Sequence, residues 1–163
     1  MTRLLVVCLG NICRSPLAEG ALRARIEASP LAGRVEVDSA GTGGWHAGEP
    51  PDRRAIACAR RHGVDIAGLR ARPLQHKDFR HFDYILCADA RNLDDARVLA
   101  PPDAHDRAVL WLPWAGIAGA SEVPDPYYGD EADFEHSWAL LDAAAQATVE
   151  RLADAVESGI ISP

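Results

Sequence analysis

Cys8 and Arg14 lie six residues apart on a short polar segment that follows the apolar run Leu4-Leu5-Val6-Val7. A helical pattern begins directly after them, at Ser15. A strand, a tight loop and a helix N-terminus in this order form a cradle for anions, because the N–H groups of the loop and first turn lack other partners. A thiol can act as a nucleophile, and a guanidinium can hold a phosphate through two parallel hydrogen bonds. The combination predicts phosphate-ester chemistry through a cysteine.

The residues between the thiol and the arginine suit a tight loop. Gly10 and Asn11 are the two residue types that best tolerate a left-handed backbone. The loop amides, the helix N-terminus and Arg14 all favour the thiolate form of Cys8. Ser15 could donate its hydroxyl to the sulfur, and it is also available as the helix cap. In the alternative interpretation, Cys8 is an ordinary buried strand residue and Arg14 is a surface charge.

The elements that must position this loop alternate along the chain. Short β-rich runs, three of them almost continuously apolar, are separated by helical patterns, which is typical of a parallel sheet covered on both faces. The sequence therefore predicts a single α/β domain over residues 1–163, with three α/β/α layers and a four-stranded parallel sheet of flavodoxin-like type. The predicted strands are residues 4–8, 35–39, 84–88 and 108–112. The predicted helices are residues 15–28, 52–62, 90–99 and 133–157.

Two helix boundaries and one long loop can be read from residue types. Asp52 is expected to cap the second helix, and Gly63 is expected to end it. Residues 113–129 have no clear periodicity and contain three prolines and three glycines. A loop of this length is usually functional or mobile.

Composition excludes several classes of protein. The net charge of −7 argues against a nucleic-acid partner that is bound through phosphate neutralisation. No apolar run approaches the roughly 20 residues of a membrane span, and the N-terminus does not resemble a signal peptide. Four cysteines in 163 residues do not form a secreted disulfide framework, so we expect a cytoplasmic protein. We expect it to be a monomer or to self-associate weakly.

Residues 7–16 resemble the active-site loop of the low-molecular-weight protein tyrosine phosphatases. The resemblance continues in order through most of the chain: Asp38-Ser39-Ala40-Gly41-Thr42, Trp45-His46-Ala47-Gly48, Pro51-Asp52-Arg53-Arg54-Ala55, Asp78-Phe79, Phe82-Asp83-Tyr84-Ile85-Leu86-Cys87-Ala88-Asp89 and Asp125-Pro126-Tyr127-Tyr128-Gly129. It implies a phosphotyrosine phosphatase I-like fold. It also implies hydrolysis of a phosphotyrosine-containing protein or a small aryl phosphate through a phosphocysteine, with no metal and no cofactor.

The resemblance assigns chemical parts to individual residues. Cys8 becomes the nucleophile, and Arg14 holds the phosphate together with the loop residues Leu9, Gly10, Asn11, Ile12, Cys13 and Ser15. Departure of an alkoxide or phenolate is faster when its oxygen is protonated, and Asp125 is assigned as this general acid and later as the base. Considered alone, Asp125-Pro126 would indicate only a turn.

The pocket walls are expected to select the substrate. The resemblance places Trp45 and His46 on one side and Tyr127 and Tyr128 on the other, forming an aromatic slot too deep for phosphoserine. Ile12 favours phosphotyrosine, because a related group of arginine phosphatases has threonine at this position. The remaining tryptophans are expected in the core; they are Trp111, Trp114 and Trp138.

Supporting roles also follow from the resemblance. Asn11 and Ser39 are expected to hold the loop open, and Asp89 is expected to support the active site from behind. Cys13 is interpreted both as a small buried residue and as the thiol that forms a reversible disulfide with oxidised Cys8; the two interpretations are compatible.

Several other arginines and cysteines are not expected to take part in catalysis. Relatives usually have glutamine where this chain has Pro73, so we assign no catalytic role to Arg70 or Arg72. Cys58 and Cys87 are expected in the core. Zinc binding is not expected, because no second pair of ligands lies at a suitable spacing.

Three rival functions remain at this point. An arsenate reductase would share the loop and a cysteine near Cys87, but would need another cysteine shortly afterwards, and residues 88–100 contain none. A non-catalytic phosphate-binding module would need neither Cys8 nor Asp125. A flavin-binding protein would need a hydroxyl-rich phosphate loop.

Overall fold

A four-stranded parallel sheet in the order β2-β1-β3-β4 lies at the centre of the computed structural model, which describes residues 1–159. The strands are β1 (Thr2–Cys8), β2 (Val35–Gly41), β3 (Tyr84–Cys87) and β4 (Ala108–Leu110). Strand β1 is paired on both sides: Cys8 lies opposite Gly41 of β2, and Val7 lies opposite Cys87 of β3. The nucleophile candidate therefore ends a central strand.

Helices cover both faces of the sheet. They are α1 (Arg14–Glu27), α2 (Arg53–Arg61), α3 (Asp78–His81), α4 (Ala90–Leu99), α5 (Trp111–Ala115) and α6 (Glu131–Glu157), with a 3₁₀ helix at Pro102–Arg107. Alternate side chains of β1 enter two separate cores: Leu4 and Val6 pack among residues of α1 and α6, whereas Leu5 and Val7 pack among residues of α3 and α4. This arrangement confirms the predicted three-layer α/β/α fold. Among the described residues, no helix combines the length and apolar character that crossing a membrane requires.

The prediction was wrong where the fourth strand was expected to end at residue 112. Strand β4 stops at Leu110, and Trp111 begins α5. Pro113 is tolerated there because the N–H groups of the first helical turn have no acceptor within the helix. The N–H that proline lacks therefore costs no hydrogen bond. The Trp111 indole donates a hydrogen bond to Thr148 at 3.0 Å, which satisfies the indole in the core. The first residues of the predicted loop, 113–115, therefore belong to α5. This helix is capped by Gly116, whose φ is 81°.

The helix caps agree with expectation at α2 but not at α1. Asp52 caps α2 by accepting a hydrogen bond from the Arg54 amide at 2.8 Å. Ser15, expected to cap α1, lies within the helix, and Cys13 occupies the N-cap position without a side-chain cap. The predicted cap was wrong because the Ser15 hydroxyl contacts the Cys8 sulfur instead.

Gly20 allows α1 to approach the segment that follows α2. A Cβ atom at this position would lie 2.6 Å from Ile66 Cγ2 and 2.8 Å from Val64 Cγ1. Real Cβ atoms do not approach other carbons so closely, so any side chain there must displace the segment.

We predict that Gly20→Ala lowers the free energy of unfolding. Overpacking costs about 1–3 kcal/mol, and alanine recovers up to about 1 kcal/mol of helix propensity, so a net loss of ~1 kcal/mol is expected. Urea unfolding measures it. Gly68→Ala is the control, because no heavy atom lies within 4 Å of its Cβ position. A Gly20→Ala variant at least as stable as the unaltered protein would contradict the close contact.

Candidate active site

The loop between β1 and α1 is held by its carbonyl groups. The carbonyl oxygens of Cys8, Leu9 and Ile12 accept hydrogen bonds from the amides of residues 42, 43 and 52, at 2.8–2.9 Å. Among the bonds between described residues, no backbone N–H of residues 9–13 acts as a donor. These amides are therefore available to an anion.

Asn11 fixes the loop from behind. Its backbone is left-handed, with φ 57°. Its side-chain amide donates to the hydroxyls of Ser15 at 2.7 Å and Ser39 at 3.0 Å, and its carbonyl oxygen accepts from the Arg72 amide at 3.0 Å. The Ser15 oxygen lies 3.0 Å from the Cys8 sulfur. Because Ser15 already accepts from Asn11, its own hydrogen is available to a Cys8 thiolate.

The network continues to a buried carboxyl group that the sequence analysis missed. The Ser39 hydroxyl donates to Glu19 at 2.7 Å, and Glu19, whose side chain is 2 % exposed, also pairs with Arg23 at 2.7 Å. Burial raises the pKa of Glu19, against the lowering effects of Ser39 and Arg23. The sequence did contain a signal for this buried carboxyl group. Glu19 lies on a largely apolar helix face, six residues after the candidate anion loop ends at Cys13.

Arg72 supports the loop through its backbone, although no catalytic role was assigned to it. Besides the bond from its amide to Asn11, its guanidinium pairs with Asp38 and Asp78 at 3.0 Å each. These ion pairs fix residues 72–73 beside the end of β2, where Pro73 forms an isolated bridge with Gly41.

Arg14 is buried beneath the loop among oxygen atoms. It donates to Asp89 at 2.7 Å and to the Val123 carbonyl at 3.0 Å, and it lies 3.5 Å from Asp125. Burial lowers the pKa of Arg14, but Cys8 and the carboxylates of Asp89 and Asp125 outweigh it and raise the pKa. The guanidinium therefore stays charged and oriented toward the loop.

Asp125 stands at the rim of the site, with its side chain 43 % exposed. Its carboxylate accepts a hydrogen bond from the Tyr127 amide at 3.1 Å. The segment before it is fixed at Val123, whose amide donates to the Ala88 carbonyl at 2.9 Å. An accessible carboxyl group in a fixed segment can exchange protons with a bound ligand.

Arg54 connects α2 to residues 123–129, here called the Asp125 segment. The sequence alone did not indicate this contact. Its guanidinium pairs with Asp52 at 3.0 Å, donates to the Tyr127 carbonyl at 2.9 Å and lies over the Phe134 ring at 4.8 Å. An arginine in the first turn of a helix ordinarily indicates a solvated charge, so the sequence alone does not indicate these contacts.

These groups surround a cavity of about 220 Å³. Its lining residues are Cys8, Leu9, Gly10, Ile12, Cys13, Arg14, Trp45, His46, Asp125, Tyr127 and Tyr128. Asn11 and Ser15, whose backbone amides are expected to bind phosphate, are not among these residues, and their side chains hydrogen-bond to each other behind the loop.

The walls of this cavity are aromatic and exposed. Trp45 is 68 % exposed and Tyr128 is 97 % exposed. The rings of Tyr127 and Tyr128 meet edge to face at 4.9 Å. His46 pairs with Glu49 at 2.7 Å. Trp45, His46, Tyr127 and Tyr128 therefore line one cavity whose rims are open to solvent.

All four cysteines are buried thiols. Burial, together with Asp52 and Cys8, raises the pKa of Cys13. Burial also raises the pKa of Cys58 to about 11 and that of Cys87 to about 12. Cys58 and Cys87 lie in the core, as predicted. The disulfide between Cys8 and Cys13 stays a prediction.

A larger depression of about 760 Å³ lies at the opposite end of the sheet, where β1 and β3 begin. Its lining includes Thr2, Tyr84 and Asp83. Its lining contains none of the four cysteines, which distinguishes it from the smaller cavity.

Comparison with known proteins agrees with this geometry. The family model described as low molecular weight phosphotyrosine protein phosphatase matches residues 3–158. A low molecular weight protein-tyrosine-phosphatase from Streptomyces coelicolor is 40% identical over 158 residues, covering 95% of this chain and 96% of the relative.

Solved structures show the same similarity. A protein tyrosine phosphatase from Entamoeba histolytica, with Hepes in its active site, superposes with a TM-score of 0.88 at 32% identity, covering 99% of this chain and 100% of the other. Wzb from Vibrio vulnificus, in complex with benzylphosphonate, gives 0.80 at 31% identity, covering 92% and 98%. The three-layer α/β/α fold, with the loop between β1 and α1 at its active end, is thus the fold of these tyrosine phosphatases. The chain belongs to the low-molecular-weight protein tyrosine phosphatase family.

We predict that Asn11→Ala impairs both stability and hydrolysis of an aryl phosphate. A left-handed alanine costs about 1–2 kcal/mol, and each lost hydrogen bond costs about 1 kcal/mol more. Asn11→Gly is the matched variant, because glycine accepts the left-handed backbone but makes no side-chain bond. It should recover stability relative to alanine while kcat/KM stays at least about tenfold below that of the unaltered protein. Full activity of Asn11→Gly would show that the side-chain bonds do not hold the loop.

Proposed function

We propose that this protein hydrolyses phosphotyrosine in two steps through a phosphocysteine on Cys8. The observation that carries the proposal is the convergence of Cys8, Arg14 and Asp125 on one cavity, beside loop amides without partners among the described residues. Each group supplies a distinct part of the reaction. No step requires a cofactor.

In the first step, the Cys8 thiolate attacks phosphorus in line with the departing oxygen. Arg14 and the amides of residues 9–15 hold the three non-bridging oxygens, and such positioning with electrostatic stabilisation is the main requirement of phosphoryl transfer. Asp125 gives its proton to the phenolic oxygen as the P–O bond breaks. Tyrosine leaves, and the phosphoryl group stays on sulfur.

In the second step, water replaces tyrosine. The Asp125 carboxylate takes a proton from this water as its oxygen attacks phosphorus. The S–P bond breaks and its electron pair returns to sulfur, where the Ser15 hydroxyl, 3.0 Å away, stabilises the thiolate by hydrogen bonding. Inorganic phosphate is released, and the thiolate and the protonated acid are restored.

The walls support an aryl substrate, either a phosphotyrosine-containing protein or a small aryl phosphate. Trp45 and the two tyrosines offer ring faces and edges to a phenyl group. The benzylphosphonate bound by Wzb from Vibrio vulnificus is itself an aryl group carrying a phosphonate. We propose that the same combination is recognised here, with Ile12 on the cavity wall.

The cellular setting is also part of the proposal. A reduced Cys8 suits the reducing cytoplasm, and exposed cavity rims suit a protein substrate that approaches from solvent. We propose that the protein works as a monomer or a weakly associating species.

Cys13, on the same cavity wall, would protect oxidised Cys8 by forming a disulfide.

We predict that Cys8→Ser abolishes hydrolysis of phosphotyrosine peptides while inorganic phosphate still binds, because Arg14 and the amides are retained. Release of phosphate from phosphotyrosine, phosphoserine and phosphoarginine peptides, and calorimetric binding of phosphate, measure the two effects. Only phosphotyrosine should be cleaved by the unaltered protein. Full activity of the variant would remove Cys8 as nucleophile, and a preference for phosphoarginine would contradict the interpretation of Ile12.

We predict that Asp125→Asn slows hydrolysis most for esters with poor leaving groups. An amide cannot protonate the departing oxygen, and general acid catalysis contributes typically about 10²–10⁴-fold. A series of aryl phosphates with leaving groups of increasing pKa, compared in burst and steady-state kinetics, separates the two steps. Equal slowing across the series would exclude Asp125 as the acid.

A further inference from the structure

Three potential metal ligands meet on the side of the molecule where α2 packs against α6. Cys58 lies in α2, His62 follows its last turn, and Glu135 lies in the first turns of α6. One ligand atom from each lies within 4.8 Å of the others. None of the three lines the active-site cavity.

The three ligand atoms are close enough together to contact one ion after a small adjustment. The Cys58 sulfur lies 3.6 Å from Oε1 of Glu135, and Nε2 of His62 lies 2.6 Å from Oε2. Ordinary zinc–ligand bond lengths place tetrahedral ligand atoms about 3.4–3.6 Å apart. The thiol and carboxylate already have this separation. The thiol and the imidazole contact different oxygens of Glu135, so an ion bound to one of these oxygens requires the imidazole or the carboxylate to shift by roughly 1 Å.

The ligands are held in place by their surroundings. Cys58 and His62 are four residues apart, so they lie on one face of α2. The His62 ring stacks on Trp138 of α6, with centroids 4.9 Å apart and planes inclined by 14°. Cys58 is fully buried. The stacked ring directs its nitrogen toward Glu135, which reduces the ordering that an ion must impose.

Although the spacing of ligands along the chain did not predict zinc binding, the fold brings the distant Glu135 to Cys58 and His62, and we propose that these three residues bind Zn²⁺, with water completing four-coordination. A thiolate, an imidazole and a carboxylate are the donors that zinc accepts in proteins. Binding transfers the thiol proton and any imidazole proton to solvent, since only the deprotonated groups are ligands. The ion would join α2 to α6, which hold the two sides of Asp125 through the bonds from Arg54 to the Tyr127 carbonyl and from Ser137 to the Pro124 carbonyl.

Arg61 competes with the ion for the carboxylate. Its guanidinium donates to Oε1 of Glu135 at 2.7 Å, the oxygen nearest the thiol. The Arg61 side chain is 39 % exposed and can swing into solvent. Its removal should therefore favour the ion by releasing a ligand atom and removing a positive charge.

The experiment uses a Cys8→Ser/Cys13→Ser background, so that no active-site thiol can bind the metal. Zn²⁺ alone is titrated calorimetrically, and Cd²⁺ is used to detect the ultraviolet absorption of a metal–thiolate bond. We expect one ion per chain and an increase in Tm. In this background, Cys58→Ser should abolish the Cd²⁺ band, and His62→Gln should weaken Zn²⁺ by at least about tenfold.

Two further variants keep the result independent of folding defects. Arg61→Gln, a surface change, should tighten Zn²⁺ binding. His81→Gln is the matched control: His81 pairs with Glu36 at 3.1 Å without a neighbouring thiol, and its loss should leave Zn²⁺ affinity unchanged. No Zn²⁺ binding with Arg61 either present or replaced would overturn the proposal. So would affinity that is unchanged in both Cys58→Ser and His62→Gln.

Discussion

Asn11 makes three side-chain hydrogen bonds between the sheet and the loop, while its own backbone is left-handed at φ 57°. The bonds engage two hydroxyls and a main-chain amide in a region from which water is excluded, so a lost partner would leave a buried polar group unsatisfied. The same asparagine therefore fixes the curvature of the loop and the orientation of Ser15. The position of the sulfur relative to the amides depends on this constraint.

Charge is balanced within the site before any ligand arrives. Arg14 is surrounded by two carboxylates and a main-chain carbonyl, which keep it protonated despite burial. In the proposed reaction, an incoming phosphoryl group would meet a guanidinium whose geometry is already fixed, so little reorganisation would be required when charge develops. Asp125 belongs to this balance, although its side chain remains 43 % exposed. Asp89, deeper in the site, is committed to its bond with the guanidinium.

Cys8, Arg14 and the alternation of strands and helices were evident from the sequence, because local residue order places a thiol, an arginine and a helix N-terminus around one loop. The interior of the site was less accessible to sequence reasoning. Glu19 and Arg54 act through contacts with residues distant in the chain, and a helix position alone does not distinguish them from solvated charges. Ser15 was assigned as a cap because its position favours capping, whereas a tertiary contact with the sulfur decided its orientation. The short helix α5 is produced by the burial of Trp111, which local propensity does not indicate.

The loop that leads to Asp125 is held at both of its ends, and Val123 forms the second of these fixed points. Its amide and its carbonyl are both engaged, with Ala88 and with Arg14, only two residues before Asp125. At the other end, the Gly116 and Ile117 amides close the last turn of α5. The intervening stretch is therefore bounded by two fixed points, and adding residues to a bounded surface loop costs little free energy because closure entropy grows slowly with length. Insertions at residues 118–121 can therefore change the outer surface of the molecule while the position of Asp125 is preserved.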